Sequence, residues 1–428
     1  MLLALSLITT GILLRQVDRL RFSPRVRAAD SAELIAIQRA RANDWTPSFL
    51  IAGQWMQIVG YWTLAGSGTL GAVAAATGVA VQFRHLQEVS HHAVHGVLAR
   101  TRRTNQLLAE VGAHLPLGLV PVAVRRKRHV RDHHPNATLA NDPNLAELAA
   151  AGLRPGIQRR AFAAALLHPL TARGIRATAV GLADNLRPHP VRWAGLAAVF
   201  TAAYLTGGWT AVLAGVLVPR MVLYPLLAWW SLLVEHTWWD PEHRTGTPAE
   251  VEAGRCMRLY PRSRTLAALA AATWLPYGDL HHYAHSAHPG LRWNYLPALE
   301  RHLPAPPLHT CRALHRAGLG HTTPPHSTDL TPASHQRRAA HRNPVRSPPF
   351  RLDVLRRQPL EGFERAPCLS PAGASCLPGQ CRAGSLRWPP LLSNAQGHSD
   401  GASLPYPRSC TAPPGQCRSD SDPKAAPR

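Results

Sequence analysis

The sequence predicts an all-α fold: a multi-pass membrane bundle of about four spans, a histidine-rich cap on the cytoplasmic side, and a disordered C-terminal tail. Three observations carry this prediction. Apolar residues make up 46% of the 428, and the long apolar runs lie before residue 300. The net charge is +23, and much of it sits in short arginine runs beside those apolar segments or in a Pro-rich tail. That distribution follows the positive-inside rule, and no nucleic-acid fold signature accompanies it. Third, the 24 histidines include three clusters at helix-compatible spacing, each next to apolar sequence.

Met1 to Leu14 is apolar and is followed by Arg15, Arg19 and Arg21. It is short for a span and no basic residue precedes it, so it reads as an interfacial or partly inserted helix, not a secretory signal. Ser31 to Arg41 is an amphipathic helix, with Asp30 as its cap and Glu33 as the capping-box partner. Residues 1–46 thus form an N-terminal interfacial segment.

The first span is Pro47 to Ala65. Trp45, Trp55, Tyr61 and Trp62 lie mostly toward its ends, where such rings sit at headgroup level. Gly66 and Gly68 make a tight turn into a second run, Thr69 to Phe83, which feeds the first histidine cluster. The outer ends of this hairpin face one side, and Arg84, Arg100, Arg102 and Arg103 mark that side as cytoplasmic. Asn105 to Val124 is broken by Pro116 and Pro121 and runs into Arg125-Arg-Lys-Arg128. It is therefore a re-entrant or interfacial segment that keeps the second cluster on the same side. Ala161 to Arg187, basic and alanine-rich, lies on the cytoplasmic face.

Trp193 to Pro219 and Arg220 to Val234 form a second apolar pair, with Gly207-Gly208 as a candidate turn near its middle. Glu235-His236 returns the chain to the histidine side. Leu266 to Leu275 is apolar but too short to span. The membrane domain so defined covers 47–303. From 304 to 428 proline, arginine, serine, histidine and cysteine dominate, and Pro378-Gly-Gln-Cys-Arg382 recurs as Pro414-Gly-Gln-Cys-Arg418. Such a segment cannot bury a core. Cys256 is the only cysteine before it, and no CxxC occurs, so neither a disulfide framework nor a zinc knuckle is supported.

The clusters are His91-His-Ala-Val-His95-Gly96, His129-Val-Arg-Asp-His133-His134, and His281-His282-Tyr-Ala-His285-Ser286-Ala-His288-Pro289. On a helix His91 and His95 stand one turn apart and can share a metal. Neutral imidazole suits iron, copper or zinc. A zinc protease wants His-Glu-x-x-His, and here His92 occupies the glutamate's place. Deaminase-type zinc sites want paired cysteines, which are absent. So many histidines with so few carboxylates suit two metals. Two irons can activate dioxygen and remove hydrogen from an unactivated carbon, and a cap lying on the membrane meets substrates that partition there.

These motifs resemble the membrane fatty acid desaturase superfamily of acyl desaturases, hydroxylases and related lipid oxygenases. Its first box, H-x-x-x-H, matches His91 to His95. Its second, H-x-x-x-H-H, matches His129 to His134, and Thr138-Leu-Ala-Asn-Asp142-Pro143 is similar to the usual sequel. Glu235-His236 resembles the further histidine that completes the site. The third box, H-x-x-H-H and a tail ending in Leu-Pro, aligns without a gap on His282-Tyr-Ala-His285-Ser286 and onward to Leu296-Pro297. Its last histidine is here Ser286, a poor iron ligand.

The resemblance implies that His91, His95, His129, His133, His134, His236, His282 and His285 converge on two iron ions. His288, three residues from His285, is the expected substitute for the missing ligand, with His281 the other candidate. It implies O2-dependent desaturation of a lipid or acyl chain, hydroxylation being the near alternative. Electrons would come from a separate carrier, a ferredoxin or cytochrome b5-like protein with its reductase, since no flavin, haem or ferredoxin motif appears. The rival reading is a degenerate, non-catalytic member. Of the lesser residues, His85 and His92 are expected to face the cytoplasm, His114 and His168 to be satisfied helix-surface groups, and Asp142 to orient a ligand or a turn rather than bind metal.

Overall fold

The computed structural model describes residues 1–23, 30–239, 244–260 and 263–304, all within one compact unit. The described residues are helical, joined by turns and loops and one isolated antiparallel bridge. The tail expected beyond residue 304 lies outside them.

The first helix, α1, spans Leu2–Phe22 and so runs well past the apolar stretch that marks it in sequence. Its continuation has a physical cause. It lies antiparallel along α3 (Trp45–Ala65), and glycines let the backbones touch. A Cβ on Gly53 would stand 2.6 Å from Gly11 O, and one on Gly60 2.9 Å from Ala4 O. Close backbone approach of this kind gains dispersion contact along the whole length of both helices. Between them in the chain, α2 (Ser31–Arg41) is capped by Asp30, which accepts from Glu33 N at 2.8 Å, without the reciprocal capping-box bond from the Glu33 side chain.

From α3 the chain turns at Gly66 to Gly68, the latter at φ 102°, into α4 (Thr69–Val94). A second hairpin follows later in the chain. The helical stretch Pro190–Glu235 is long and apolar enough to cross a membrane, by length and composition. It is not straight. Gly207 and Gly208 leave helical geometry, Gly208 at φ 65°, a region glycine enters without cost. The pair therefore divides at the Gly207-Gly208 turn that the sequence offers near its middle, and the boundary drawn between its two apolar runs at Pro219 to Arg220 is no break. Pro219 instead follows a widened turn, Leu213–Leu217, and heads another, Pro219–Leu223. These i→i+5 turns absorb the proline without ending the helix. The segment includes α10 (Pro190–Val212) and α11 (Tyr224–Glu235), in our numbering.

The two hairpins are registered on each other. Their turns adjoin, a Cβ on Gly66 standing 4.0 Å from Gly207 O. Trp62 Nε1 donates to Gly215 O at 2.9 Å, and Phe83 meets Tyr224 edge to face at 6.4 Å. Both open ends, at His91 and at Glu235, consequently arrive at the same place. Large apolar side chains remain exposed at the other end and along the flanks, among them Leu3 and Leu13 on α1, Leu70 and Val73 on α4, and Leu205 and Trp209 at the second turn.

Short helices make up most of the remaining described residues. They are α5 (Arg102–Ala109), α6 (Val122–Arg126), α7 (Pro143–Ala150), α8 (Arg159–Leu166), α9 (Ala172–Leu186), α12 (Pro248–Arg255), α13 (Arg264–Ala272) and α14 (His282–Ala287). Helix α5 passes into a wide turn and breaks before Pro116, so Asn105 to Val124 is no continuous helix.

Candidate metal centre

The last turns of α4 carry His91 and, at the cap position, His95. Their Nε2 atoms lie 3.3 Å apart, as one helical turn requires. Buried Glu88, one turn earlier, is 2.5 Å from His91 Nδ1. A carboxylate there can only accept, so Nδ1 carries the proton and the Nε2 lone pair faces inward.

The next contributors come from a wide turn, Lys127–His133, closed by His134 N–H donating to His129 O. An i→i+5 closure sets His134 over His129 and leaves His133 displaced to the side. Nε2 of His134 lies 3.1 Å from that of His129 and 3.3 Å from that of His95, and His129 Nε2 lies 2.6 Å from His91 Nε2. His285 of α14 closes the ring, its centroid 4.6 Å from that of His91 and 4.7 Å from that of His95. One donor nitrogen from each of these five imidazoles falls within 4.8 Å of every other.

His133, turned aside, joins a second group. Its ring lies 5.1 Å from that of His236, and His236 Nε2 lies 3.1 Å from His282 Nε2. His133 Nδ1–H donates to Asp142 at 2.9 Å, while Asp142 also caps α7 by accepting from Asn144 N. Its Nε2 is thereby left buried without a hydrogen-bond partner. An antiparallel bridge between His236 and Cys256 brings the thiol to 3.4 Å from His236 Nδ1. Asp279 lies 3.7 Å from His282 Nδ1, and Glu235 joins the two as a further carboxylate.

A buried arginine ties the groups together. Arg84 pairs with Glu88 at 2.9 Å and with Asp279 at 2.5 Å, and donates to Ser231 Oγ at 2.8 Å. It thus stands between the carboxylate that holds His91 and the one beside His282. Sequence places Arg84 among the charges that mark the cytoplasmic face, but it is only 3% exposed and neutralises two buried carboxylates.

Burial, and then the neighbouring imidazoles, hold His129, His236 and His285 well below the ordinary histidine range. Burial and the adjacent His133 and His282 push His134 to about 3. His282 moves the other way: burial would lower it, but the Glu235 and Asp279 carboxylates outweigh burial and raise it. Burial raises the Cys256 thiol, and Glu252 raises it further.

Eight of the nine histidines expected at the site are brought together. His288 is not in either group. The helix ends at Ala287, and His288 at φ −139° loses the i,i+3 relation to His285 on which its recruitment depended. His281 pairs with Glu300 instead. His85 and His92 do not face solvent; both are buried, donating to the carbonyls of Ala272 and Tyr277. His114 is buried and meets Val120 O and Ser90. Sequence reasoning missed Glu88, Arg84, Asp279 and Cys256. A charged pair at i,i+4 inside an otherwise apolar helix was the available signal for the first two.

The donor set fits metal ions. The first group is purely imidazole, with lone-pair nitrogens facing one another at 2.6 to 3.3 Å. His133 Nε2 and both nitrogens of His285 are buried and lack hydrogen-bond partners. Neutral, desolvated nitrogens of this kind suit borderline divalent cations. Among known families, the fatty acid desaturase profile matches residues 67–316, a range that contains every histidine of both groups. No curated protein and no solved structure gives a significant match.

Proposed function

Since the chain belongs to the fatty acid desaturase family, whose members are lipid oxidoreductases of the desaturase and hydroxylase type, we propose that it desaturates a fatty acyl or other lipid chain in an O2-dependent reaction at a di-iron centre. The observation that carries this reading is the pair of adjoining histidine groups. His91, His95, His129, His134 and His285 would hold one iron, and His133, His236 and His282 the other. Irons bound there supply the dioxygen chemistry that takes hydrogen from an unactivated carbon.

The chain's own residues prepare that chemistry. Glu88 and Asp142 fix the tautomers of His91 and His133, so that each presents Nε2 as a lone pair. Burial excludes water and keeps most of the imidazoles neutral, the form in which they bind metal. Forming a double bond removes two hydrogens from the substrate, and reducing dioxygen to water then requires two further electrons and protons. A separate carrier, a ferredoxin or cytochrome b5-like protein with its reductase, would deliver them. The exposed apolar side chains on α1, α4 and the second hairpin support a bundle embedded in lipid, with the histidine groups at its cytoplasmic edge. Hydroxylation at the same carbon uses the same residues.

Ser286 favours a second reading, that of a non-catalytic member, because it stands where the third box has its last histidine. One experiment separates the two. Purified protein should hold about two irons per chain, and cells with the gene should gain an unsaturated or hydroxylated lipid that cells without it lack. A chain that binds no iron and leaves the lipid profile unchanged overturns the enzymatic reading.

A further inference from the structure

The second group is short of ligands as an all-imidazole site. It has three histidines where the first has five, and Ser286, which stands where the third box has its last histidine, is buried beside the Cys256 thiol. The fold brings another donor to this place. Cys256 leaves the end of α12, which packs on α14, and its bridge to His236 sets the thiol, fully buried, against that ring. The sulfur, one nitrogen of His236 and one of His282 lie within 4.8 Å of one another. A tetrahedral metal with bonds of about 2.3 Å to sulfur and 2.0–2.1 Å to nitrogen keeps such donors about 3.5 Å apart. The sulfur meets that spacing to His236 through Nδ1, at 3.4 Å, while His282 Nε2 lies 3.1 Å from the other nitrogen of the same ring, and a single metal takes one of these two nitrogens.

We propose that Cys256 is a ligand of the second metal, its thiolate serving where Ser286 replaces a histidine. The inference rests on the metal centre proposed above. Binding exchanges one bond for another: the sulfur gives up its proton and gains the metal. That proton passes to Glu252, whose Oε2 the thiol already faces at 3.5 Å, and from there to solvent. A bound divalent cation deprotonates a coordinating thiol outright. The two sites then differ in kind, one all-imidazole and one imidazole and thiolate. The softer site should favour metals with affinity for sulfur. His288 is not needed at either.

The test uses the full chain, purified in detergent and loaded with cobalt(II). The wild type should bind two equivalents and show a sulfur-to-cobalt charge-transfer band in the near ultraviolet. X-ray absorption at the cobalt edge should place a sulfur at about 2.3 Å. In Cys256→Ser the band should vanish and the second equivalent should bind at least about tenfold more weakly. Should that variant not fold, the double variant Cys256→Ser with Ser286→His carries the comparison: two equivalents again, without the sulfur band. Cobalt bound by the wild type with no sulfur in its shell reduces Cys256 to a hydrogen-bond partner of His236 and overturns the inference alone. A wild-type chain that binds no cobalt overturns both the inference and the metal centre beneath it.

Discussion

At the scale of single residues, the histidines of the centre are positioned by groups that never touch a metal. Asp142 accepts from His133 Nδ1 and from the backbone of Thr138 and Asn144, so it is spent on orientation. Asp142→Asn turns an amide N–H toward one of these donors. Iron affinity should fall by about 10- to 100-fold, read by competition with a chelator, with helix content by circular dichroism unchanged. An unchanged affinity would remove Asp142 from the support of the centre. The histidines and Asp142 were legible from spacing and resemblance, because ligand boxes are local in sequence. Asp279 and Cys256 were not, because their roles arise from contacts with His282 and His236 that only the tertiary fold creates. His288 misled for the complementary reason: spacing implied a helix that Pro289 cuts short.

At the scale of elements, the bundle depends on helices that approach through glycine. A side chain at Gly11 would drive into the Gly53 carbonyl and the Gln57 side chain. Gly11→Leu should therefore cost about 1–3 kcal/mol as overpacking, seen as a lower thermal midpoint in detergent. Gly181, inside α9 with open space around it, is the control. There Gly→Ala should be neutral or stabilise by about 0.5–1 kcal/mol. If both variants melt alike, α1 does not pack on α3 as described. The length of α1 was not legible, since its apolar signal stops at Leu14 and its last turns are held by packing and by Asp18, which pairs with buried Arg292 at 2.8 Å. The second hairpin was legible as two apolar runs with Gly207-Gly208 as its candidate turn, but the boundary between the runs was drawn at the proline. Wide turns let the chain carry Pro219 within a helix, and Gly208 takes the reversal instead.

At the scale of the whole molecule, two glycine turns lie at one end and both histidine groups at the other. Single cysteines at the exposed positions Arg128 and Arg301 should label from the same side of a sealed vesicle, and one at Ser67 from the opposite side. Labelling of Arg128→Cys and Ser67→Cys from one side would refute the embedded bundle. Ending the chain at Leu330 should leave metal content and melting unchanged, because the sequence beyond offers no apolar pattern to bury. A loss of either would assign the removed segment a structural role. Through Arg84 the two halves of the centre also share one counter-charge. Whatever draws the His91 Nδ1 proton toward Glu88 loosens the hold of Glu88 on the guanidinium and yields it to Asp279, beside His282. Such a linkage is reciprocal, so the factor by which filling one site changes the affinity of the other is the same in both directions. Cobalt titration of the wild type should deviate from two independent sites, and Glu88→Gln should bring it closer to independence; the centre would then fill as a unit, not as two adjacent holes.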